Sequence, residues 1–256
     1  MEGIIATVHA AEAKRSPAMI LLFPWAMQYG ANLLVNLAAD ACCSASVPVT
    51  LHMDHAQDPD IIRQAADTGK FDSIMVDMSH YEKEENLSKT KELVKYCHDK
   101  GIATEAEPGR IEGGEDGVKD TADLKGMLTS PEEAQQFVDT GISWLAPAFG
   151  NVHGSYGPRG IQLEFDRLDA IDKQVGERVQ MVLHGTDGFT RDLYDRCISH
   201  GITKVNINKI MNKELAEVQK ERAGKVPLSQ VIEEGTAAMQ RAVEELMDML
   251  GSSGQA

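Results

Sequence analysis

Short apolar runs rich in β-branched residues alternate with longer amphipathic stretches along the chain of 256 residues. This alternation is typical of a parallel β-sheet covered by helices, an α/β fold. We predict seven strands, at Met19–Leu22, Val49–Met53, Ser73–Val76, Ile102–Ala106, Ser143–Ala146, Gln180–Leu183 and Lys204–Ile207. We predict helices at Glu2–Lys14, Asp58–Thr68, Lys83–Lys100, Pro131–Thr140, Arg191–His200, Lys209–Lys220 and Val231–Leu250. Ser130 as N-cap and Pro131 at the first helical position indicate where one of them begins.

The charge balance restricts the partners of the chain. It has 40 acidic and 25 basic residues, a formal net charge of −15. Nucleic acids and anionic membranes attract Lys- and Arg-rich surfaces, so we expect neither as a partner. The longest apolar run, Ala18–Met27, is shorter than the roughly 20 residues that cross a bilayer. Four cysteines without a CxxC pair favour a reducing compartment, and we expect a cytoplasmic protein.

The length fits one α/β barrel, because such barrels commonly form single domains of about 250 residues. We therefore predict one domain over residues 1–256, with a mobile tail of small polar residues at 251–256. Seven strands are one fewer than the eight of a complete barrel. An open sheet is the alternative.

Three histidines stand immediately after predicted strands or in the loops that leave them: His55, His153 and His184. In a barrel the carboxyl ends of all strands meet at one mouth, so these imidazoles would face one point. Three nitrogen ligands with an open fourth position make a catalytic zinc site. A single histidine is more often a structural hydrogen-bonding residue, and it is the coincidence of three that favours a metal.

Carboxylates occur at the same strand ends. Asp54 precedes His55, and Asp77 follows the third strand. Glu105 and Glu107 lie two residues apart, on one face of the next strand. Buried carboxylates need a cation or a proton between them. A core salt bridge is the alternative, although the neighbouring sequence offers few Lys or Arg residues.

Two loop regions complete the candidate site. Residues 109–117 form a glycine-spaced acidic loop, which fits either a mobile flap that brings a carboxylate over the site or an ordinary solvated loop. The last two strand ends of a barrel often bind phosphate through backbone N–H groups. Here Gly185 and Gly188 allow close backbone approach and Lys209 offers a positive charge, whereas Asp187 opposes an anion.

Several short motifs occur in a fixed order: LHMDHA at 51–56, DMSH at 77–80, EAEPG at 105–109, GGED at 113–116, LTSPEEA at 128–134, GNVHGSY at 150–156, LHGTDG at 183–188 and KVNIN at 204–208. In this order and spacing the chain resembles the class II, metal-dependent fructose-bisphosphate and tagatose-bisphosphate aldolases. The resemblance implies a (β/α)8 TIM barrel, assembled as a homodimer or homotetramer. It implies an enzyme of carbohydrate metabolism and glycolysis that cleaves a ketose 1,6-bisphosphate to dihydroxyacetone phosphate and glyceraldehyde 3-phosphate.

The resemblance also implies roles for individual residues. His55, His153 and His184 would hold a catalytic Zn²⁺. Asp54 would exchange a proton with the C4 hydroxyl, and Glu115 on the flap would take the proton from the dihydroxyacetone phosphate carbon. A second metal position, or a monovalent cation, would use Asp77 and Glu107. The residues expected to contact the ketose phosphate are Gly154, Gly185, Thr186, Asp187, Asn206, Asn208 and Lys209.

The chain departs from the family pattern in two respects. Met1 aligns near the first helix of the family, so we expect a barrel that lacks its first β-strand. The phosphate positions also differ: Phe23–Trp25 replaces a small serine- and glycine-containing segment, Asp187 a serine and Lys209 a threonine. Gly157 occupies a usual lysine position, with Arg159 close by. The zinc set is therefore whole while the phosphate set is altered, and the choice among fructose, tagatose and another ketose stays open.

Two other functions compete with a zinc-dependent aldolase. A metal-dependent hydrolase or isomerase of the barrel type would share the three histidines but would not need Glu115. A catalytically altered, metal-binding paralogue would keep the ion and bind a metabolite or partner. The missing strand and the altered phosphate positions favour this paralogue.

Overall fold

A computed structural model describes residues 1–114 and 126–256 of the chain. Its strands are β1 (Ala18–Leu22), β2 (Val49–Ala56), β3 (Ser73–Val76), β4 (Ala103–Ala106), β5 (Glu112–Gly113), β6 (Trp144–Leu145), β7 (Val152–His153), β8 (Gln180–Leu183) and β9 (Ile202–Val205). Its helices are α1 (Glu2–Lys14), α2 (Pro24–Gly30), α3 (Asn32–Ser44), α4 (Pro59–Asp67), α5 (Lys83–His98), α6 (Pro131–Val138), α7 (Phe165–Val175), α8 (Arg191–Ser199), α9 (Lys209–Arg222) and α10 (Leu228–Leu250), with a 3₁₀ turn at Gly157–Arg159.

Seven strands of the described residues form the main sheet, in the order β1-β2-β3-β4-β6-β8-β9, and β5 pairs with β7 in a small second sheet. From β2 to β9 each neighbouring pair in the main sheet is parallel. Parallel strands in chain order, separated by helices, confirm the predicted α/β class and the TIM-type fold. The last predicted strand is displaced, since β9 ends at Val205 and not at Ile207.

Local sequence signals explain where several helices begin. Ser130 caps α6 by accepting a hydrogen bond from Glu133 N, and Pro131 follows at the first helical position, as predicted. Asp58 caps α4 in the same way through Asp60 N. These caps satisfy N–H groups that have no partner inside the helix. No helix in the described part of the chain combines the length and the apolar character needed to cross a bilayer.

The chain divides into two compact units. The helical unit comprises Met1–Ile20, Gly30–Leu51 and Ile207–Ala256, and the sheet unit comprises Leu21–Tyr29 and His52–Asn206. In the helical unit α10 packs against α1 and α9. Alanines supply the buried face of α1, and larger side chains such as Val231 and Met239 supply that of α10. The single domain stays a prediction.

The tail at 251–256 makes hydrogen bonds to the end of α1, and its mobility stays a prediction. Gly254 N donates to Lys14 O, and Ala256 N donates to Arg15 O. The Arg15 guanidinium also donates to Ala256 O at 2.6 Å. Backbone hydrogen bonds of this kind do not depend on side-chain size, which is why composition alone could not predict them.

The sheet unit buries its strands deeply. All four residues of β3 are buried, as are the last six of β2 and the last three of β8. A strand covered on both faces needs apolar residues at successive positions, as in Ile74-Met75-Val76. The polar residues that interrupt this pattern, at the carboxyl ends of the strands, form the candidate site.

Candidate metal centre

The end of β2 carries two neighbouring side chains to the site. On a regular strand Asp54 and His55 would point to opposite faces. Here the register of β2 against β3 shifts between Met53 and Ala56, and His55 has a left-handed φ of 45°. Such a backbone is uncommon for a residue other than glycine. This irregularity lets both side chains reach the same group of residues.

The structure brings the three predicted histidines together. His184 Nδ1 lies 3.0 Å from His55 Nε2 and 3.4 Å from His153 Nε2. With Glu107 they form a group whose possible ligand atoms all lie within 4.8 Å of one another. Zinc bound tetrahedrally at about 2.0–2.1 Å would separate its ligand atoms by roughly 3.3 Å. The observed spacing therefore fits a divalent ion.

The other ring nitrogens of two histidines contact carboxylates. His55 Nδ1 is 2.9 Å from Asp77 Oδ2, and His184 Nε2 is 2.8 Å from Glu105 Oε1. An ionised carboxylate only accepts hydrogen bonds, so each of these nitrogens carries the proton. When both rings are neutral, as metal binding requires, the lone pairs of His55 Nε2 and His184 Nδ1 are thereby directed into the group. Carboxylates in this position fix the tautomer and the ring orientation of metal-binding histidines.

The pKa values of His55 and His153 are shifted in opposite directions. Burial alone would lower the pKa of His55, but the charges of Asp54 and Asp77 outweigh it and raise the pKa to about 10. Burial, together with the charges of His55 and His184, lowers the pKa of His153 well below its usual value. Buried carboxylates thus make the surroundings of His55 favourable for positive charge, whether proton or cation.

Glu107 differs from the other carboxylates of the site. Its Oε1 accepts a hydrogen bond from Ile111 N at 2.7 Å, whereas its Oε2 has no hydrogen-bond partner in residues 1–114 and 126–256. Burial and the charge of Asp77 raise the pKa of Glu107 to about 8. An oxygen that is buried and unpaired is costly, and a cation would supply the missing partner.

Asp77 lies against His55 and not in the group of possible ligands. Its Oδ1 accepts hydrogen bonds from the backbone and hydroxyl of Ser79. Burial would raise the pKa of Asp77, but the His55 and Ser79 hydrogen bonds hold it below its usual range. The role of Asp77 as a ligand of a second metal stays a prediction.

Glu105 has a salt-bridge partner in the core, which the neighbouring sequence did not offer. Lys204 of β9 places Nζ 2.8 Å from Glu105 Oε2. Burial would raise the pKa of Glu105, but the charge of Lys204 and the His184 hydrogen bond hold it below its usual value. The expectation of few nearby cations fails because the two residues are 99 positions apart in the chain and meet only through the sheet.

Asp54 is held by an amide. Asn206 Nδ2 lies 3.2 Å from Asp54 Oδ1 and 3.1 Å from Oδ2, and the Asp54 side chain is buried. His52, two residues earlier, is also buried; its Nε2 has no hydrogen-bond partner among the described residues and lies 3.6 Å from Glu105 Oε2. The predicted catalytic carboxylate therefore lies in a fixed orientation beside the histidine group.

Only some of the residues predicted to contact the substrate lie next to the histidine group. Gly154 and Gly185 directly follow two of the histidines, and both have left-handed backbones. Thr186 Oγ1 donates to Asn206 O, and Asp187 follows it in the same loop. Asn208 and Lys209 belong to the helical unit, at the start of α9. Glu115, the predicted base, lies outside the described residues, as do positions 116 and 117 at the end of the predicted flap.

The altered segment Phe23–Trp25 begins next to the histidine group. The ring of Phe23 is centred 6.2 Å from that of His55, tilted by 37°. Trp25 is half exposed and stacks on Tyr29 at 5.0 Å. Arg159 is exposed, in the turn that contains Gly157.

Sequence reasoning missed two residues of this site. Lys204 was placed in a predicted strand without any role, and His52 was not used although it belongs to the LHMDHA motif. A lysine in a predicted strand of a parallel sheet is the signal that could have identified Lys204, since such a sheet is covered on both faces and a lysine there needs a partner.

A TIM-type fold with imidazoles and carboxylates gathered at its strand ends defines the class of barrel enzymes, with a site able to hold a metal ion. The comparisons give the family within that class. The model of the family "Fructose-bisphosphate aldolase class-II" matches residues 1–255. The chain therefore belongs to the class II fructose-bisphosphate aldolase family, and it is an aldolase, a carbon–carbon lyase.

Individual relatives agree with this assignment. A putative fructose-bisphosphate aldolase of Coccidioides immitis is 62% identical over 263 residues, covering 100% of this chain and 87% of that one. The crystal structure of a putative fructose-1,6-bisphosphate aldolase from the same organism superimposes with a TM-score of 0.99 at 63% identity, covering 100% and 89%. A fructose-bisphosphate aldolase of Streptococcus pyogenes serotype M3 is 34% identical, covering 100% and 91%.

Proposed function

We propose that this aldolase binds Zn²⁺ through His55, His153 and His184 and cleaves a ketose 1,6-bisphosphate reversibly. The products would be dihydroxyacetone phosphate and glyceraldehyde 3-phosphate. The observation that carries the proposal is the convergence of three imidazole nitrogens, two of them in rings oriented by buried carboxylates. The activity for which the relatives are named supports fructose bisphosphate as the substrate.

The donor set fits zinc, because imidazole nitrogens are ligands that this ion prefers. When bound, the ion would polarise the substrate carbonyl and stabilise the negative charge that bond cleavage leaves on the adjacent carbon. The carboxylates of Asp77 and Glu105 would keep the rings of His55 and His184 in place. Asp77 and Glu107 would serve a second metal position or a monovalent cation.

Asp54 would handle the proton of the C4 hydroxyl. As the C3–C4 bond breaks, the hydroxyl proton passes to the carboxylate, C4 becomes the aldehyde carbon, and the bonding electron pair stays on C3. Asn206 Nδ2 would keep Asp54 facing the substrate. Glu115 would then protonate C3, and would remove that proton in the reverse direction. Each positioned proton transfer contributes about 10²–10⁴-fold to the rate.

The phosphate next to the carbonyl would be bound by residues that follow the last strands. Backbone N–H groups at glycines are suited to this task, since they can approach an anion closely. The proposed contacts are Gly154, Gly185, Thr186, Asp187, Asn206, Asn208 and Lys209. Zinc content and turnover, measured on purified protein with fructose and tagatose 1,6-bisphosphates and unphosphorylated ketoses, test the proposal. Chelator-insensitive turnover, or no turnover with zinc bound, would refute it.

Replacing Glu115 distinguishes the proposed aldolase from a metal-dependent hydrolase or isomerase. Glu115→Gln in an aldolase should abolish exchange of the carbon-bound proton of dihydroxyacetone phosphate with solvent. A hydrolase would keep its turnover, because it needs no carboxylate on the flap.

The altered phosphate segment favours a second candidate, a metal-binding paralogue with a changed substrate. The bulky ring of Phe23 packs beside His55, where the family resemblance places a small phosphate-binding segment. Phe23→Ser should improve KM for a bisphosphate if the ring crowds the phosphate. An unchanged KM would leave the segment without a role in substrate choice.

The remaining predictions concern the cellular compartment and the oligomeric state of the protein. A cytoplasmic enzyme of glycolysis, present as a homodimer or homotetramer, is the arrangement that the family resemblance suggests. Sedimentation equilibrium of the zinc-loaded protein would measure the assembly, and fractionation of the cells that make it would measure the compartment.

A further inference from the structure

Lys204 contacts both Glu105, which holds the proposed ligand His184, and Asn206, which holds Asp54. Its ammonium nitrogen lies 2.8 Å from Glu105 Oε2 and 2.8 Å from Asn206 Oδ1. The side chain is 11% exposed and lies in β9, a strand of the main sheet. A lysine shielded from water in this way contributes to stability or function only through the groups it contacts.

The contacts of Lys204 fix the orientation of the Asn206 amide. An ammonium group only donates hydrogen bonds, so the atom of Asn206 that faces it must be the carbonyl oxygen. An ionised carboxylate only accepts them, so the atom that faces Asp54 must be the amide nitrogen. Lys204 at one end of the amide and Asp54 at the other therefore allow a single orientation of the side chain.

The same ammonium group acts on the histidine group through Glu105. Glu105 uses Oε2 for Lys204 and Oε1 for His184 Nε2, and its side chain has no exposed surface. With Oε2 held, the other oxygen stays against the imidazole. His184 Nδ1 is then kept directed at the nitrogens of His55 and His153.

We propose that Lys204 is a positioning residue, which orients Asp54 through Asn206 and His184 through Glu105. It contacts neither the proposed metal ligands nor Asp54 directly. A single cation thus couples the carboxylate that handles the hydroxyl proton to the group that holds the metal. The proposal rests on the proposed function for its effect on catalysis, whereas its effect on metal affinity is independent of turnover.

Two partial reactions, cleavage and proton exchange, distinguish a positioning role of Lys204 from a general structural role. Cleavage of the ketose bisphosphate needs Asp54, because a hydroxyl proton must leave. Exchange of the carbon-bound proton of dihydroxyacetone phosphate with solvent does not, because this substrate has no C4 hydroxyl. Loss of Lys204 should therefore reduce cleavage more than exchange. A general loss of folded protein would reduce both equally.

The test compares Lys204→Met with Lys83→Met. The control also removes a cation paired with a buried glutamate, since Lys83 Nζ lies 3.1 Å from Glu133 Oε2, and Lys83 has no place in the site. Cleavage of fructose 1,6-bisphosphate is measured against deuterium exchange into dihydroxyacetone phosphate. Zinc affinity is measured by competition with a chromophoric chelator.

For Lys204→Met we expect cleavage to fall at least about tenfold more than exchange, and zinc affinity to fall by about tenfold, the lower end for loss of an outer partner of a metal ligand. Lys83→Met should match the parent in both respects. An unchanged ratio of cleavage to exchange, or an unchanged zinc affinity, overturns the proposal. If the parent protein cleaves no ketose bisphosphate, the proposed function fails, and zinc affinity alone decides the role of Lys204.

A double variant covers the case in which Lys204→Met does not fold because Glu105 is left charged and unpaired. Glu105→Gln combined with Lys204→Met removes both charges, so the core is again neutral. We expect this protein to fold and still show the reduced ratio of cleavage to exchange, since Asn206 lacks its donor. A parental ratio in the double variant would reduce Lys204 to a counter-charge and overturn the proposal.

Discussion

The sheet unit and the helical unit bury different kinds of side chain. Of the buried polar and charged residues in the described ranges, Ser16 alone belongs to the helical unit. The ion pairs of that unit, such as Lys14 with Asp248, are partly exposed, whereas Glu105 and Lys204 pair inside the sheet unit. Burial of charge is costly. The sheet unit therefore bears this free-energy cost at the strand ends that form the candidate site, and the helical unit is stabilised mainly by apolar packing.

The largest effect should follow the loss of a proposed ligand. His184→Ala should remove stoichiometric zinc and reduce ketose-bisphosphate cleavage by at least about 10³-fold, because charge stabilisation at the carbonyl is lost. Metal analysis and turnover measure both. The matched control is His9→Ala, which removes an exposed histidine from α1 of the helical unit and should change neither. Full zinc content in His184→Ala would show that this histidine is not a ligand.

A backbone contact next to His153 should give the second largest effect. Gly113 has φ 90°, and a Cβ at this position would lie 2.0 Å from His153 O. Gly113→Ala should therefore lower the free energy of unfolding by about 1–3 kcal/mol and weaken zinc binding, as β7 is displaced. Urea unfolding and chelator competition measure the two effects.

Gly235→Ala in α10 is the control from the helical unit. Its Cβ would meet only the side-chain end of Leu215, at 2.5 Å, and this side chain can move. Alanine also favours a helix over glycine by about 1 kcal/mol. We expect a change in the free energy of unfolding within about 1 kcal/mol of zero. Equal losses in the two variants would show that the backbone contact at His153 is no more restrictive than the side-chain contact at Leu215.

The buried and exposed thiols should respond differently to pH. Burial raises the pKa of Cys97, on α5, to about 11 from 9.0. Between about pH 9 and 11 the unfolded chain loses this proton before the folded protein does, so stability falls as pH rises. Cys97→Ala should flatten this slope in urea unfolding, and Cys43→Ala, which removes an exposed thiol of α3, should not. Parallel slopes in all three proteins would exclude Cys97 as a source.

The smallest effect is expected for an exposed ion pair. Lys14 and Asp248 connect α1 and α10 at 2.6 Å, but both are accessible to water. Lys14→Met should leave the thermal unfolding midpoint unchanged within error, because exposed pairs contribute little. A clear drop would mean that the helical unit also depends on charge pairing, which would remove the contrast between the units.

The seven strands of the main sheet could be predicted from local apolar runs, and the group of histidines from the rule that barrel strands end at one mouth, whereas helices α2, α3 and α7 have no counterpart among the predicted helices. Strands followed apolar runs, and His55, His153 and His184 were recognised by their positions at strand ends. The displaced end of β9 shows the limit of this approach. Val205 and Ile207 suggested a longer strand, but Asn206 N bonds to Leu183 O at the strand end and its side chain turns to Asp54.

The partners of the buried charges could not be predicted from the sequence. Glu105 meets Lys204 across 99 positions, and Asn206 meets Asp54 across 152. Composition near a glutamate says nothing about a cation brought in by another strand. The hydrogen bonds between the tail and the end of α1 could not be predicted from composition either, because backbone groups form them.

The left-handed backbone of His55 has a consequence for the evolution of this site. A non-glycine residue in that conformation costs roughly 1–3 kcal/mol, and glycine would relieve most of it. The change that relaxes this strand would also delete an imidazole of the metal group. It would also leave the buried carboxylate of Asp77 without its imidazole partner, which costs at least as much free energy as the relieved strain, so the carboxylates around the ring keep histidine in this backbone conformation.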